Sequence, residues 1–209
     1  MKNPLFTIGY SNHAIDDFIA MLKGNAVNAI ADVRSQPHSR MNPEFSRPLL
    51  SIKLKKADIA YVFLGEELGA RTIDRSCYVN GKVQYERLAM TSAFQQGLSR
   101  IQRGADGHRI ALMCAEKEPL TCHRCILVSR HLSEQGMTVR HILSNGETEE
   151  HNASMERLIK ILGLATPHMF RDKQQALSLA YEIQGEKIAY EQRVSEAREP
   201  VSMSGAARL

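Results

Sequence analysis

Five short apolar runs separated by amphipathic stretches constrain this chain more than any other feature. They lie at 5–9, 28–33, 60–64, 109–114 and 138–143. Between the first two, Ile15, Phe18, Ile19 and Leu22 share one face at helical spacing, and Gly24-Asn25 ends the stretch. The same reading predicts helices over 49–56, 84–103 (weakened by Gly97), 122–135 and 154–162. Thr121 is the expected N-cap of the helix at 122–135, and Gly136 its C′ residue. Residues 65–83 read as a long loop. Strands that are apolar throughout and alternate with helices predict an α/β fold. The expected form is a mostly parallel, Rossmann-like sheet of about five strands with helices on both faces.

Composition narrows the class. Of 209 residues, 43% are hydrophobic and 24% charged. These are ordinary globular values, which exclude wholesale disorder, a collagen and a disulfide scaffold. No apolar run approaches the ~18 residues of a membrane span. Asp16 and Asp17 follow the first strand too soon for a secretory signal, so a cytoplasmic location is expected. The net charge of +4 permits an anionic partner without demanding nucleic acid. The 6% of aromatic residues and the lack of tryptophan argue against a broad base-stacking platform.

Ligands of an open parallel sheet bind outside the carboxyl ends of its strands. Here those ends carry Gly9-Tyr10-Ser11, Asp32-Val33-Arg34, Cys114-Ala115-Glu116 and the helix start Cys122-His123-Arg124. One rim site is the natural expectation. Asp32, Glu116 and Cys122 are the candidate catalytic groups. A thiol at a helix N-terminus is acidified there, and a carboxylate can act as base or nucleophile. The anion contacts expected are the Gly9, Tyr10 and Ser11 backbone together with Arg34, Ser39, Arg40, Arg71, His123 and Arg124. The bland alternatives are an Asp32–Arg34 ion pair, a Glu116 paired with arginine, and Cys122 as a small core residue. Cys125 reads as core and His151 as structural. Cys114, Cys122 and His123 are weak metal candidates, because their spacing lacks a paired knuckle. No cofactor is predicted. Neither a Gly-x-Gly-x-x-Gly nor a Walker A segment occurs.

Read in order, these segments resemble a known family. Thr7-Ile8-Gly9-Tyr10-Ser11, Asp32-Val33-Arg34 with Pro37-x-Ser39-Arg40, Asn42-Pro43-x-Phe45, and Leu68-Gly69-Ala70-Arg71 come first. Cys114-Ala115-Glu116, Cys122-His123-Arg124, His141-Ile142-Leu143 with Gly146 and His151, Ala180-Tyr181 and Lys187-Ile188-Ala189-Tyr190 follow. The series is similar to DUF488, a domain of unknown function. Ala70 stands where that family usually has glycine. The resemblance implies that the 174–190 segment belongs to the domain. The expected organisation is a single domain over 1–194, with 165–194 a helical segment packed on it and 195–209 a flexible tail. No activity comes with the family. The convergence of acid, thiol and arginines predicts a hydrolase or group transferase acting on an anionic, nucleotide-like or phosphorylated small molecule. The alternatives are a nucleic-acid-associated module and a thiol or metal regulatory protein.

Overall fold

The first strand, β1 (Leu5–Gly9), is buried at every position. That burial explains an apolar run without alternation. A computed structural model describes residues 3–11, 13–164 and 172–192. Helix α1 (Ile15–Gly24) carries Asp16 and Asp17 in its first turn, where the dipole favours them, and buries Ile15, Phe18 and Leu22. Strand β2 (Ala29–Asp32), helix α2 (Arg47–Lys56) and strand β3 (Ala60–Phe63) follow. Then come the short helix α3 (Gly65–Leu68), a hairpin of β4 (Tyr78–Val79) and β5 (Lys82–Val83), and helices α4 (Tyr85–Ala89) and α5 (Ser92–Gly104). Strand β6 (Ile110–Cys114) leads to a π-helical segment, Arg124–Ser129, which continues into α6 (Arg130–Glu134). Strands β7 (Val139–Ile142) and β8 (Thr148–Glu150) and helices α7 (His151–Ile161) and α8 (Lys173–Ile188) complete the order.

The main sheet has six strands in the order β3-β2-β6-β1-β7-β8. All neighbours are parallel except β7 and β8. The layering is that of a doubly wound fold. The parallel strands, however, run 3-2-4-1-5 in chain order, where the dinucleotide-binding sheet runs 3-2-1-4-5. Two core layers sandwich the sheet. Phe18, Leu22, Leu50 and Leu54 of α1 and α2 pack with Phe6, Ile8 and Met113 on one face. Phe94, Leu98 and Ile101 of α5 pack with Leu127, Val128, Leu5 and Leu112 on the other.

Several boundaries differ from expectation, each for a local reason. The helix expected over 84–103 divides at Thr91, whose hydroxyl accepts from Phe94 N at 3.2 Å and caps α5. The 65–83 loop holds α3 and a hairpin that turns on Asn80-Gly81, both at positive φ (51° and 80°). Thr121 does not cap the following helix. Its hydroxyl donates to Glu118 O at 3.0 Å. Beyond the expected strands, β8 pairs antiparallel with β7, after a turn containing Gly146 at φ 84°. The expected segment at 165–194 is described over 172–192, where α8 opens on an Asp172 capping box. The expected tail at 195–209 lies outside the described residues.

Candidate functional site at the carboxyl rim

The topology itself selects a place. From β1 the chain crosses under α1 toward β2, and from β6 it crosses the other way, over α6, toward β7. β1 and β6 are neighbours, with Gly9 opposite Cys114. Their carboxyl ends therefore form the switch point at which such sheets hold ligands.

Gly9 sits at the tightest spot of that switch. A Cβ there would lie 1.9 Å from the Glu116 carbonyl oxygen and 3.2 Å from the Arg124 guanidinium. Only glycine lets the chain after β6 lie against β1. The loop is then fixed by Tyr10 N donating to Cys114 O (3.1 Å) and Ser11 N donating to Ala115 O (3.0 Å). These two N–H groups, expected to face an oxyanion, are thereby occupied. Arg124 departs from expectation too. It is fully buried, and its guanidinium donates to Glu116 O (2.7 Å) and Lys117 O (3.3 Å). It braces the loop instead of clamping a ligand.

That bracing assembles a cluster from Cys114, Glu116, Cys122 and His123. Both thiols reach the same oxygen: Cys114 Sγ lies 2.9 Å and Cys122 Sγ 3.0 Å from Glu116 Oε2. His123 Nε2 donates to Val33 O at 3.0 Å. Its Nδ1 therefore faces the sulfurs, at 3.7 Å from Cys114 and 3.8 Å from Cys122. The sulfurs are buried, while Glu116 reaches solvent and touches both of them through Oε2. Three acidic groups meeting at one point cannot all lose their protons. The Cys122 contact, with burial, pushes the Cys114 thiol well up. Desolvation of its carboxyl group against the sulfurs, followed by the charge on Cys122, raises Glu116. For Cys122 burial acts upward, but the Cys114 S–H, the Arg124 cation and His123 outweigh it and hold the thiol well below its usual value. Burial acts downward on His123, yet its contacts with Cys122 and Glu116 raise it.

Asp32 and Arg34 do not join this cluster. Side chains alternate along β2. Asp32 shares its face with Ile30 and the α1/α2 layer, whereas Cys114 belongs to the α5/α6 layer. Arg34 binds Asp32 in a bidentate pair, Nε to Oδ1 at 2.9 Å and a terminal nitrogen to Oδ2 at 2.6 Å. Tyr61 adds its hydroxyl to Asp32 Oδ2 at 2.7 Å. The other terminal nitrogen of Arg34 is buried with no hydrogen-bond partner. Its guanidinium lies over the Tyr10 ring at 5.1 Å. The single positively lined pocket expected from the sequence is therefore two clusters on opposite faces of the strand ends.

The open space nearby is a cleft of about 630 Å³ lined by Tyr10, Ser11, His13, His38, Ser39, Arg40, Asn42 and Ala115. Arg40 and Ser39 fall where expected. Ser39 Oγ accepts from Asn42 N at 3.1 Å and shapes the cleft wall. Arg71 is apart from it, exposed and stacked on Tyr190 at 4.3 Å. Sequence reasoning missed Tyr61 and also Tyr85, whose hydroxyl is pushed up by burial and by the nearby Cys122, Cys114 and Glu116. No spacing signal marks either tyrosine. Among the described residues no helix is long and apolar enough to cross a membrane.

The fold is a mostly parallel α/β sheet with a thiol–carboxylate cluster at its switch point. The model of DUF488, a domain of unknown function, matches residues 14–131, more than half of the chain, and the chain belongs to that family. No curated protein and no solved structure matches it.

Proposed function

We propose that this protein is a thiol-dependent hydrolase or group transferase acting on an anionic, phosphorylated or nucleotide-like small molecule. The observation that carries the reading is the convergence of Cys114, Cys122 and Glu116 on one oxygen position, beside His123. The space this reading assigns to the anion is the rim cleft, which carries Arg40, His38 and His13 and touches the cluster's loop at Ala115. Glu116 swings away to uncover the sulfurs. The Cys122 thiolate attacks the electrophilic centre and forms a bond to sulfur. The bond to the leaving group breaks, and the leaving group takes a proton from Glu116 or His123. An acceptor hydroxyl or water then displaces the sulfur and returns a proton to the same group. A thiolate paired with an imidazole is the arrangement that activates such nucleophiles.

Iodoacetamide mapping tests this. Cys122 is expected to label near neutral pH in the folded protein, faster in Glu116→Ala, and more slowly with nucleotides or sugar phosphates bound. Labelling confined to denaturant defeats the reading. A second reading has the same residues hold a metal, since the ligand atoms of Cys114, Cys122 and His123 lie within 4.8 Å of one another. Stoichiometric metal lost on Cys122→Ser would favour it.

A further inference from the structure

A second cluster lies in the core, separate from the rim. Cys125 comes from the π-helical segment, His141 from β7, and His151 from the first position of α7. All three are buried, at 0%, 0% and 3% exposure. Nothing in the proposed thiol chemistry uses them. π-Helical turns often mark functional sites, and this one carries Cys125.

The three ligand atoms face one another. His141 Nε2 lies 3.0 Å from His151 Nδ1. Cys125 Sγ lies 3.6 Å from the first and 3.9 Å from the second. Metal–nitrogen bonds of ~2.0 Å and metal–sulfur bonds of ~2.3 Å place three ligands spread evenly about one ion about 3.5 Å apart for two nitrogens and about 3.7 Å for sulfur and nitrogen. The observed triangle is close to that size. The outer ring nitrogens are held as metal-binding histidines hold theirs. His141 Nδ1 is 2.8 Å from Thr7 Oγ1, and His151 Nε2 is 2.8 Å from the Tyr181 hydroxyl.

The surroundings discriminate between ions. Structural zinc takes four ligands, and catalytic zinc keeps a water. Here three ligand atoms group together among the described residues, in a sealed site. Zinc with one thiolate would leave a net positive charge. His141 already sits near the Arg124 and Arg157 cations, so an uncompensated buried charge would be costly. A monovalent ion with one thiolate is neutral, and copper(I) is the monovalent ion among the metals that soft thiolates take.

We propose that Cys125, His141 and His151 bind one copper(I) ion. On binding, the Cys125 thiol gives up its proton. His141 moves its proton from Nε2 to Nδ1, where it donates to Thr7, and His151 keeps its proton on Nε2 toward Tyr181. The copper stays copper(I) throughout.

The test is anaerobic loading of the full chain with copper(I), followed by competition against a chromogenic copper(I) chelator. A Cys114→Ser/Cys122→Ser double variant removes the rim thiols. It is expected to keep one equivalent against the chelator. Cys125→Ser is expected to lose it. Tyr181→Phe removes only a hydroxyl, and is expected to weaken retention roughly tenfold to a hundredfold. This variant keeps the test decisive if Cys125→Ser fails to fold. Copper absent from the unsubstituted protein, lost from the double variant, retained by Cys125→Ser or unaffected by Tyr181→Phe would overturn the site. Zinc held in preference to copper would overturn the ion.

Discussion

Replacing Asp32 with asparagine leaves the shape of β2 intact and removes one buried charge. Asp32 is 0% exposed and Arg34 4%. Both carboxylate oxygens are in use, accepting from Arg34 at 2.9 and 2.6 Å and from Tyr61 at 2.7 Å. Asparagine offers one acceptor and turns an N–H₂ toward a guanidinium or a hydroxyl. The guanidinium stays charged and is left uncompensated, a loss of about 3–5 kcal/mol for a buried pair. With a urea m-value of about 2 kcal/mol/M, the unfolding midpoint falls by roughly 2 M. Arg34→Met alone strands the carboxylate at a similar cost. The double variant Asp32→Asn/Arg34→Met removes both charges, so it is expected to be more stable than the sum of the single losses implies. Equilibrium urea unfolding followed by circular dichroism measures all three. A loss below about 1 kcal/mol for Asp32→Asn, or strictly additive singles, would refute a buried, tightly coupled pair and return Asp32 to the list of candidate catalytic groups.

Tyr61→Phe removes one hydrogen bond to the same carboxylate and is expected to lower stability by about 1.5–3 kcal/mol in the same assay. Gly9→Ala drives a methyl into the Glu116 carbonyl. It is expected to cost about 1–3 kcal/mol, and by displacing the brace it should change the rate at which iodoacetamide labels Cys122. Gly97→Ala improves helix propensity by about 1 kcal/mol. Yet its Cβ would lie 2.7 Å from two carbons of Leu68 where α3 crosses α5. The expected result is net destabilisation in thermal unfolding, and a stabilised variant would show that the crossing gives way easily.

Gly97 shows where sequence reading stops. By propensity it is a weak point in a helix, and its use as a crossing contact exists only once Leu68 lies against it. Thr91 and Asn80-Gly81 are different, since the cap and the turn are written in local chemistry. The apolar runs by themselves determined the parallel α/β layering, because a strand buried on both faces must be apolar throughout. They also put thiol, carboxylate and arginine residues at the carboxyl rim, because that rim follows from strand direction alone. Tertiary structure decided the rest. The strand order set β6 beside β1, and alternation along β2 turned Asp32 and Arg34 to the face away from Cys114. Burial turned Arg124 into a brace. Cys125, His141 and His151 share no sequence spacing. They meet only because β7, α7 and the π-helical segment pack together, and pairing across the fold leaves no mark on local sequence.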